Sequence, residues 1–450
     1  MSTPLAQYLT NTLGYIRRED GNGFRNCITI SPGPSEGTLR AYFPDPSEFD
    51  LYPLPEKFRS VIKSYLKLMK SVYILNDVDA SFNDINDMMS SLNRAADTQT
   101  NWINPALINA STELISVYQV KQKTKPDEKQ GESLDIMEMS GMSNSSSSSL
   151  EKLASTVNNS FKLSLNDKNP DIRQSKRSDI YFFLGNLIKI YFKLGKLELA
   201  KSVEKALKGT RFELPPLNGP IRTKKYAVTY LYYSALLSLD DSDFISTESK
   251  LVKAMDIINL YNEPNLIIKQ TEKILMILIP LRLYNSKILP HNDIWIRFPN
   301  LKYIYKDTLF KAIHRGDLKS FDIYQKKFQL IFLKRHLYLL IENLKSLCYL
   351  QLIKKTSLIV TELNKGNTSH IIPLSAYQVA LEFSTRHVLN NGSYALPSST
   401  GVTEGGFSHH LDAVECILAN LIYTEKIKGY VSHGNKCIVL SKTNAFPNQQ

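Results

Sequence analysis

Cysteine is scarce in this chain: four occur in 450 residues, Cys27, Cys348, Cys416 and Cys437, and no two form a C-x-x-C pair. That spacing argues against a disulfide framework or a zinc module and fits a reducing compartment. Long apolar runs are also missing. The longest, Ile274 to Leu281, stops at Arg282, whereas a membrane span needs about 20 such residues, so no membrane partner is expected. The opening MSTPLAQYLTNTLGYIRRED has no basic stretch ahead of an apolar core and does not read as a secretory signal. Catalytic motifs are equally absent. The Gly-Asn-Gly at Gly21 to Gly23 lacks a third glycine, and there is no Walker lysine, no G-x-S-x-G and no H-x-H with a downstream aspartate. His409 and His410 are adjacent, so on a helix they point about 100° apart. Cys416 falls in the apolar series Val414, Ile417, Leu418 and Leu421, which predicts a core cysteine rather than a metal ligand. Asp240, Asp241 and Asp243 read as a solvated turn or helix cap. No catalytic role, metal or cofactor is expected.

What the chain does have is apolar bulk and positive charge. Hydrophobic residues make up 43% and charged residues 22%, enough to bury a sizeable core. Lysine and arginine number 55 against 43 acidic residues, a net charge of +12 that favours an anionic partner.

Helical periodicity dominates. Phe58, Val61, Ile62, Tyr65, Leu66, Met69, Val72 and Tyr73 lie on one face of a helix over 57–75, and a second helix is predicted over 105–121. Residues 1–120 therefore read as an N-terminal helical region. Residues 121–149 read as a disordered insertion, because this polar stretch ends on five serines and offers little apolar surface to offset ordering. From 150 to 365 the pattern is a stack of amphipathic helix pairs; in one of them Gly195 separates the stripe Phe183, Leu184, Leu187, Ile188 and Tyr191 from Leu197, Ala200, Val203 and Leu207. Residues 366–447 change character. Helices over 374–383 and 410–424 flank a Gly/Ser-rich loop over 390–406, and two strand-like runs, 429–432 and 436–441, follow. His433-Gly434-Asn435 joins them, with Gly434 expected to supply positive φ. Helices closed by such a hairpin make a winged helix. The expected fold is thus mainly α, a TPR-like helical-repeat stack closed by a C-terminal winged helix.

Cations concentrate before that unit. Between Leu301 and Lys355 stand twelve lysines and arginines against Asp307, Asp317, Asp322 and Glu342. Tyr303, Tyr305, Phe310, Phe321, Tyr324 and Phe328 are interleaved with them, which for most of these rings means core. Lys326, Lys327, Lys334 and Arg335 are candidate phosphate contacts, as are Lys426, Lys428, Lys436 and Lys442 around the hairpin. The last helix offers Asp412, Glu415 and Asn420 rather than arginines, so contact with RNA or DNA would be sequence-independent. The alternative for the basic face is the solvated side of amphipathic helices, and for the winged helix it is subunit docking.

The run Asp412-Ala413-Val414-Glu415-Cys416-Ile417-Leu418-Ala419-Asn420-Leu421-Ile422-Tyr423, then Ile427-Lys428-Gly429-Tyr430-Val431-Ser432-His433, resembles the PCI domain found in scaffold subunits of the proteasome lid, the signalosome and translation initiation factors. Within that group it is similar to the signalosome subunit-twelve-like proteins and their animal relatives in messenger-RNA export. Asn186 to Leu194, Phe310 to Ile313 and Phe332 to Arg335 are similar to the family's internal blocks. The resemblance implies a non-catalytic scaffold in a nuclear complex for transcription-coupled messenger-RNA processing or export. It also implies two partners, a second PCI-domain subunit and the small acidic DSS-type protein shared with the proteasome lid. The alternative is a signalosome-associated subunit that acts only through protein contacts in cullin deneddylation.

Overall fold

The computed structural model describes residues 4–124, 144–219, 221–260, 264–363, 370–385 and 411–447. The chain divides into two compact units, Met1–Asn262 and Glu263–Gln450. This division does not fall at the serine-rich segment.

The first unit is helical: α1 (Pro4–Arg17), α2 (Gly21–Cys27), α3 (Pro34–Ala41), α4 (Glu48–Leu51), α5 (Glu56–Tyr73), α6 (Val78–Ala96), α7 (Asn104–Thr124), α8 (Asn144–Leu165), α9 (Ile180–Leu194), α10 (Leu197–Lys208), α11 (Ile221–Asp240) and α12 (Phe244–Ile258). Of the stripe read over 57–75, Phe58, Val61, Ile62, Tyr65, Leu66 and Met69 are buried on α5, which packs against α6, whereas Val72 is half-buried and Tyr73 is exposed because the last turn of α5 runs out to the surface. Asp20 caps α2 by accepting from the backbone N–H groups of Asn22 and Gly23.

The insertion expected over 121–149 overlaps a helix at each end. Helix α7 runs on to Thr124 and α8 begins at Asn144, so the serine run belongs to the first turns of α8; residues 125–143 lie outside the described residues. Composition misjudged those serines because the rest of the helix decides the matter. Leu153, Val157 and Phe161 are buried, α8 packs against α6, α7 and α9, and Thr156 and Ser160 donate to Asn86 Oδ1 and Asn93 Oδ1 at 3.0 and 2.9 Å. The segment thus joins two neighbouring helices within one unit.

In the second unit come α13 (Pro264–Ser286), α14 (Asn292–Arg297) and α15 (Pro299–Leu301), then a π-helical stretch Lys302–Phe310 continuing into α16 (Lys311–Arg315). After them follow α17 (Leu318–Lys327), α18 (Gln329–Lys334), α19 (Tyr338–Leu363), β1 (Ile371–Pro373), α20 (Leu374–Thr385), α21 (Leu411–Tyr423), β2 (Gly429–Ser432) and β3 (Cys437–Leu440). Two glycines close helices in the left-handed conformation. Gly195 (φ 67°) ends α9, and Gly316 (φ 74°) ends α16 with its Cα against the backbone of Leu352 in α19.

The helical stack and the winged helix expected from the sequence are both present. The sheet holds one strand more than the hairpin. β3 is central, pairing antiparallel with β2 (Tyr430 opposite Val439) and with β1 (Ile372 opposite Ile438). A three-residue strand ending in proline gives no periodic signal, which is why the sequence does not announce it. The turn also differs from expectation. Positive φ falls on Lys436 (48°), not Gly434, because the loop spans four residues and only its last is left-handed. The loop expected over 390–406 lies outside the described residues.

Candidate nucleic-acid interface

Two turns of the second unit carry the first four candidate cations. Lys326 and Lys327 end α17, Lys334 ends α18, and Arg335 is its C-cap. Basic residues at helix C-termini complement the carbonyl ends of those helices, so local structure alone favours them there. Lys326 is exposed; among the described residues, the side chains of Lys326, Lys334 and Arg335 have no ion-pair or hydrogen-bond partner. Lys327 is held by aromatics. Its Nζ donates to the Tyr303 hydroxyl at 2.5 Å and lies 5.0 Å from that ring's centroid and 5.5 Å from Phe328.

The interleaved aromatics are mostly core. Tyr305, Phe310, Phe321 and Phe328 are buried, with the Tyr305 hydroxyl donating to the Met276 carbonyl at 2.6 Å, whereas Tyr303 is 49% exposed. Burial pushes the Tyr305 phenol far above its usual range. Beside the cations lie exposed Leu330 and Leu333. Several of the twelve basic residues have structural duties instead. Lys345 pairs with Asp322 at 2.7 Å, Lys355 donates to the carbonyls of His314 and Arg315 at the end of α16, and Lys306 donates to Asn292 at 2.9 Å.

The hairpin cations are not equivalent. Lys428 and Lys442 are exposed. Lys436 donates to Glu415 Oε1 at 3.1 Å, and His433 Nδ1 lies 2.7 Å from Oε2 of the same carboxylate. Hydrogen bonds from His433 and then Lys436 hold the Glu415 carboxyl below its ordinary range. Lys426 is half-buried; its Nζ donates to Ser346 Oγ at 2.6 Å and lies 5.4 Å from the Tyr284 centroid. On α21, Asp412 and Asn420 are exposed, as expected.

The cysteine readings divide. Cys348 is buried in α19, its Sγ 3.7 Å from the Ala312 carbonyl, and burial pushes its thiol up to about 12. Cys416 is exposed, not core, because the apolar series around it is wider than the buried stripe of α21: only Val414, Leu418 and Leu421 are buried. Among the described residues no group of three or more His, Cys, Asp or Glu side chains could hold a metal ion, and no helix is long and apolar enough to cross a membrane. His409 and His410 lie outside the described residues. Sequence reasoning missed Ser346, which the fold brings to Lys426 across 79 intervening residues; no spacing rule joins positions so far apart.

Comparison with known proteins places this geometry. The PCI domain family model matches residues 325–442, the stretch from the end of α17 through β3. The chain is 63% identical over 451 residues to the protein CSN12 homolog of Debaryomyces hansenii, covering 99% of both chains. It is 25% identical over 402 residues to Cop9 signalosome complex subunit 12 of Saccharomyces cerevisiae, covering 85% of this chain and 84% of that protein. It is 29% identical over 304 residues to PCI domain-containing protein 2 of Xenopus laevis, covering 66% and 64%. With a PCI domain at the observed winged helix and end-to-end similarity at that level, the chain belongs to the CSN12-homologue family of PCI-domain proteins.

Proposed function

We propose that this protein is a non-catalytic scaffold subunit of a nuclear complex in transcription-coupled messenger-RNA processing or export. It binds RNA or DNA without sequence preference through its basic surface, alongside a second PCI-domain subunit and a small acidic DSS-type protein. The observation that carries the reading is the set of cations at the α17 and α18 ends, where Lys326, Lys334 and Arg335 have no carboxylate partner among the described residues. By contrast, Lys345 is matched by Asp322. Edge strand β2, with Tyr430 exposed, supports docking of the partner subunit at the hairpin.

The test is charge reversal at Lys326, Lys327, Lys334 and Arg335 in the reconstituted complex. Affinity for single-stranded RNA should fall, and the slope of log K against log salt should shrink by about 0.7 for each phosphate no longer neutralised. Unchanged binding refutes the surface.

A second reading draws on one relative's printed name, Cop9 signalosome complex subunit 12. In that case the chain acts only through protein contacts in a signalosome-type assembly. Purification from cells and identification of the co-purifying subunits separates the two.

A further inference from the structure

The π-helical stretch Lys302–Phe310 sends its aromatic rings in two directions. Leu301, Tyr305, Leu309 and Ile313 recur every four residues and are buried. Tyr305 belongs to that row and packs on Phe332 of α18, with centroids 6.4 Å apart, whereas Tyr303 falls outside it and is 49% exposed. π-helical turns are rare and gather at functional sites. This one is locked in place: the Thr308 hydroxyl donates to the Ile304 carbonyl at 2.5 Å and lies 3.2 Å from the Tyr303 carbonyl. The Tyr303 side chain is held as well. Phe328 meets its ring at right angles, with centroids 5.6 Å apart, and Lys327 Nζ donates to its hydroxyl at 2.5 Å. The same nitrogen lies 5.0 Å from the ring centroid. Those two distances differ by nearly the centroid-to-oxygen length of a phenol, so the ammonium sits beyond the hydroxyl and not above the ring. A pre-ordered ring is thus open to solvent, with its hydroxyl end and one flank held by the protein.

Positive charge surrounds that ring. On α17, Ile323, Lys326 and Lys327 share one exposed face at i, i+3 and i+4, and exposed Lys302 precedes Tyr303. Of the carboxylates on α17 and the π-helical stretch, Asp322 is taken by Lys345 at 2.7 Å and Asp317 caps α17. That leaves Asp307 as the exposed acid, with Lys306 adjoining it and Lys311 four residues on. Lys327 spends one of its three N–H donors on Tyr303 and keeps two for phosphate. Phosphate contacts alone need no such ring. A duplex turns its bases inward and offers Tyr303 only backbone. A single strand presents a base face beside each phosphate, and stacking carries no sequence preference because every base has such a face.

We propose that Tyr303 is a stacking platform for an unpaired base, so that the basic surface around the end of α17 takes single-stranded nucleic acid in preference to duplex. This deepens, and rests on, the nucleic-acid reading given above. Lys326 and Lys327 neutralise the phosphates beside the stacked base, while Tyr303 supplies the part of the affinity that salt does not screen.

The experiment uses the full chain in the reconstituted complex of the charge-reversal test, with four probes of one length. These are a mixed-sequence RNA strand, the same strand as DNA, its RNA duplex, and an abasic strand that keeps the phosphates without the bases. The RNA strand should bind more tightly than the duplex or the abasic strand. Tyr303→Leu should weaken binding of the RNA strand about fivefold to a hundredfold, the range of one base stack, and leave duplex and abasic binding unchanged. Because a stack carries no charge, the slope of log K against log salt should not move in this variant, unlike the loss of a cation. Tyr303→Phe keeps the ring and gives up the bond to Lys327, and it should retain the affinity. An equal loss with the DNA strand assigns the platform to both nucleic acids, and a loss with RNA alone assigns it to RNA. The abasic comparison needs no variant, so it decides the matter even where Tyr303→Leu disturbs the fold. Equal affinity of the native complex for strand, duplex and abasic strand overturns the platform, as does strand affinity indifferent to Tyr303→Leu. So does release of the partner subunit by Tyr303→Leu with strand affinity unchanged, which would make Tyr303 a protein contact. In each of these cases loss of binding on charge reversal at α17 and α18 still supports the function. Failure of the native complex to bind any of the four probes removes that function itself, so the two failures are told apart.

Discussion

Gly195 and Gly316 end their helices with nearly the same backbone angle, 67° and 74°, in very different surroundings. A Cβ added at Gly195 would meet nothing within 4 Å, whereas one added at Gly316 would lie 2.9 Å from the backbone nitrogen of Leu352 and 3.0 Å from its Cα. Alanine at either site bears the left-handed penalty of about 1–2 kcal/mol. At Gly316 it must also force α16 away from α19, an overpacking cost of about 1–3 kcal/mol. Gly195→Ala should therefore destabilise its unit by about 1–2 kcal/mol, and Gly316→Ala its own by about 2–5 kcal/mol. Each unit holds one of the chain's two tryptophans, both buried: Trp102 in the first and Trp295 in the second. Urea titrations in Trp295→Phe and Trp102→Phe backgrounds then read each unit separately, and a shifted midpoint at constant m-value gives the destabilisation. Equal effects at the two glycines would refute the close approach of α16 to α19.

Further outcomes follow from the polar groups. Glu204 accepts from Ser234 at 2.6 Å and pairs with Lys208 and Lys250 at 3.0 and 3.4 Å. Burial alone would raise its carboxyl, but these partners outweigh burial and hold it below the ordinary range. Its contribution to stability is therefore full above the unfolded-state pKa of about 4.3 and is lost as pH falls through the lower folded-state value. Glu204→Gln should remove about 1–3 kcal/mol at neutral pH and flatten the acid limb of the melting temperature against pH. Arg177 is fully buried, with Nη1 and Nη2 donating to the carbonyls of Asp167 and Asn169 at 2.6 and 2.5 Å. Arg177→Met should lower stability by about 2–4 kcal/mol in a urea titration read by Trp102, and Arg177→Lys should recover only part of it. Glu415→Gln removes the carboxylate that occupies Lys436, so the reconstituted complex should bind RNA more tightly with a steeper salt dependence; an unchanged slope excludes Lys436 from phosphate contact.

The fold was largely legible because it is built from local periodicity. The stripe on α5, the Gly195 break and the two hairpin strands are all written in nearest neighbours. What stayed illegible was set by distant contacts. The serines at the start of α8 follow a helix anchored on α6 and α9, β1 exists only because β3 accepts it, and Cys416 is exposed because helix packing uses a narrower stripe than composition suggested. The site was legible only in part, for the same reason. A charge count found Lys326 and Lys334, but it could not tell that Lys345 is already neutralised by Asp322, nor that Lys426 is held by Ser346.

The central position of β3 has a mechanical consequence. Its two neighbours come from opposite sides of the winged helix in sequence, and both its flanks are tied to the β1–α20 segment: the N–H of Leu374, the first residue of α20, donates to the Lys436 carbonyl, and the Leu440 N–H donates to the carbonyl of His370, just before β1. The wing is therefore no free flap. A macromolecule that grips the hairpin tip and pulls must lever the first turn of α20 with it, so force applied at the tip reaches the helices below as a rigid displacement and not as local fraying.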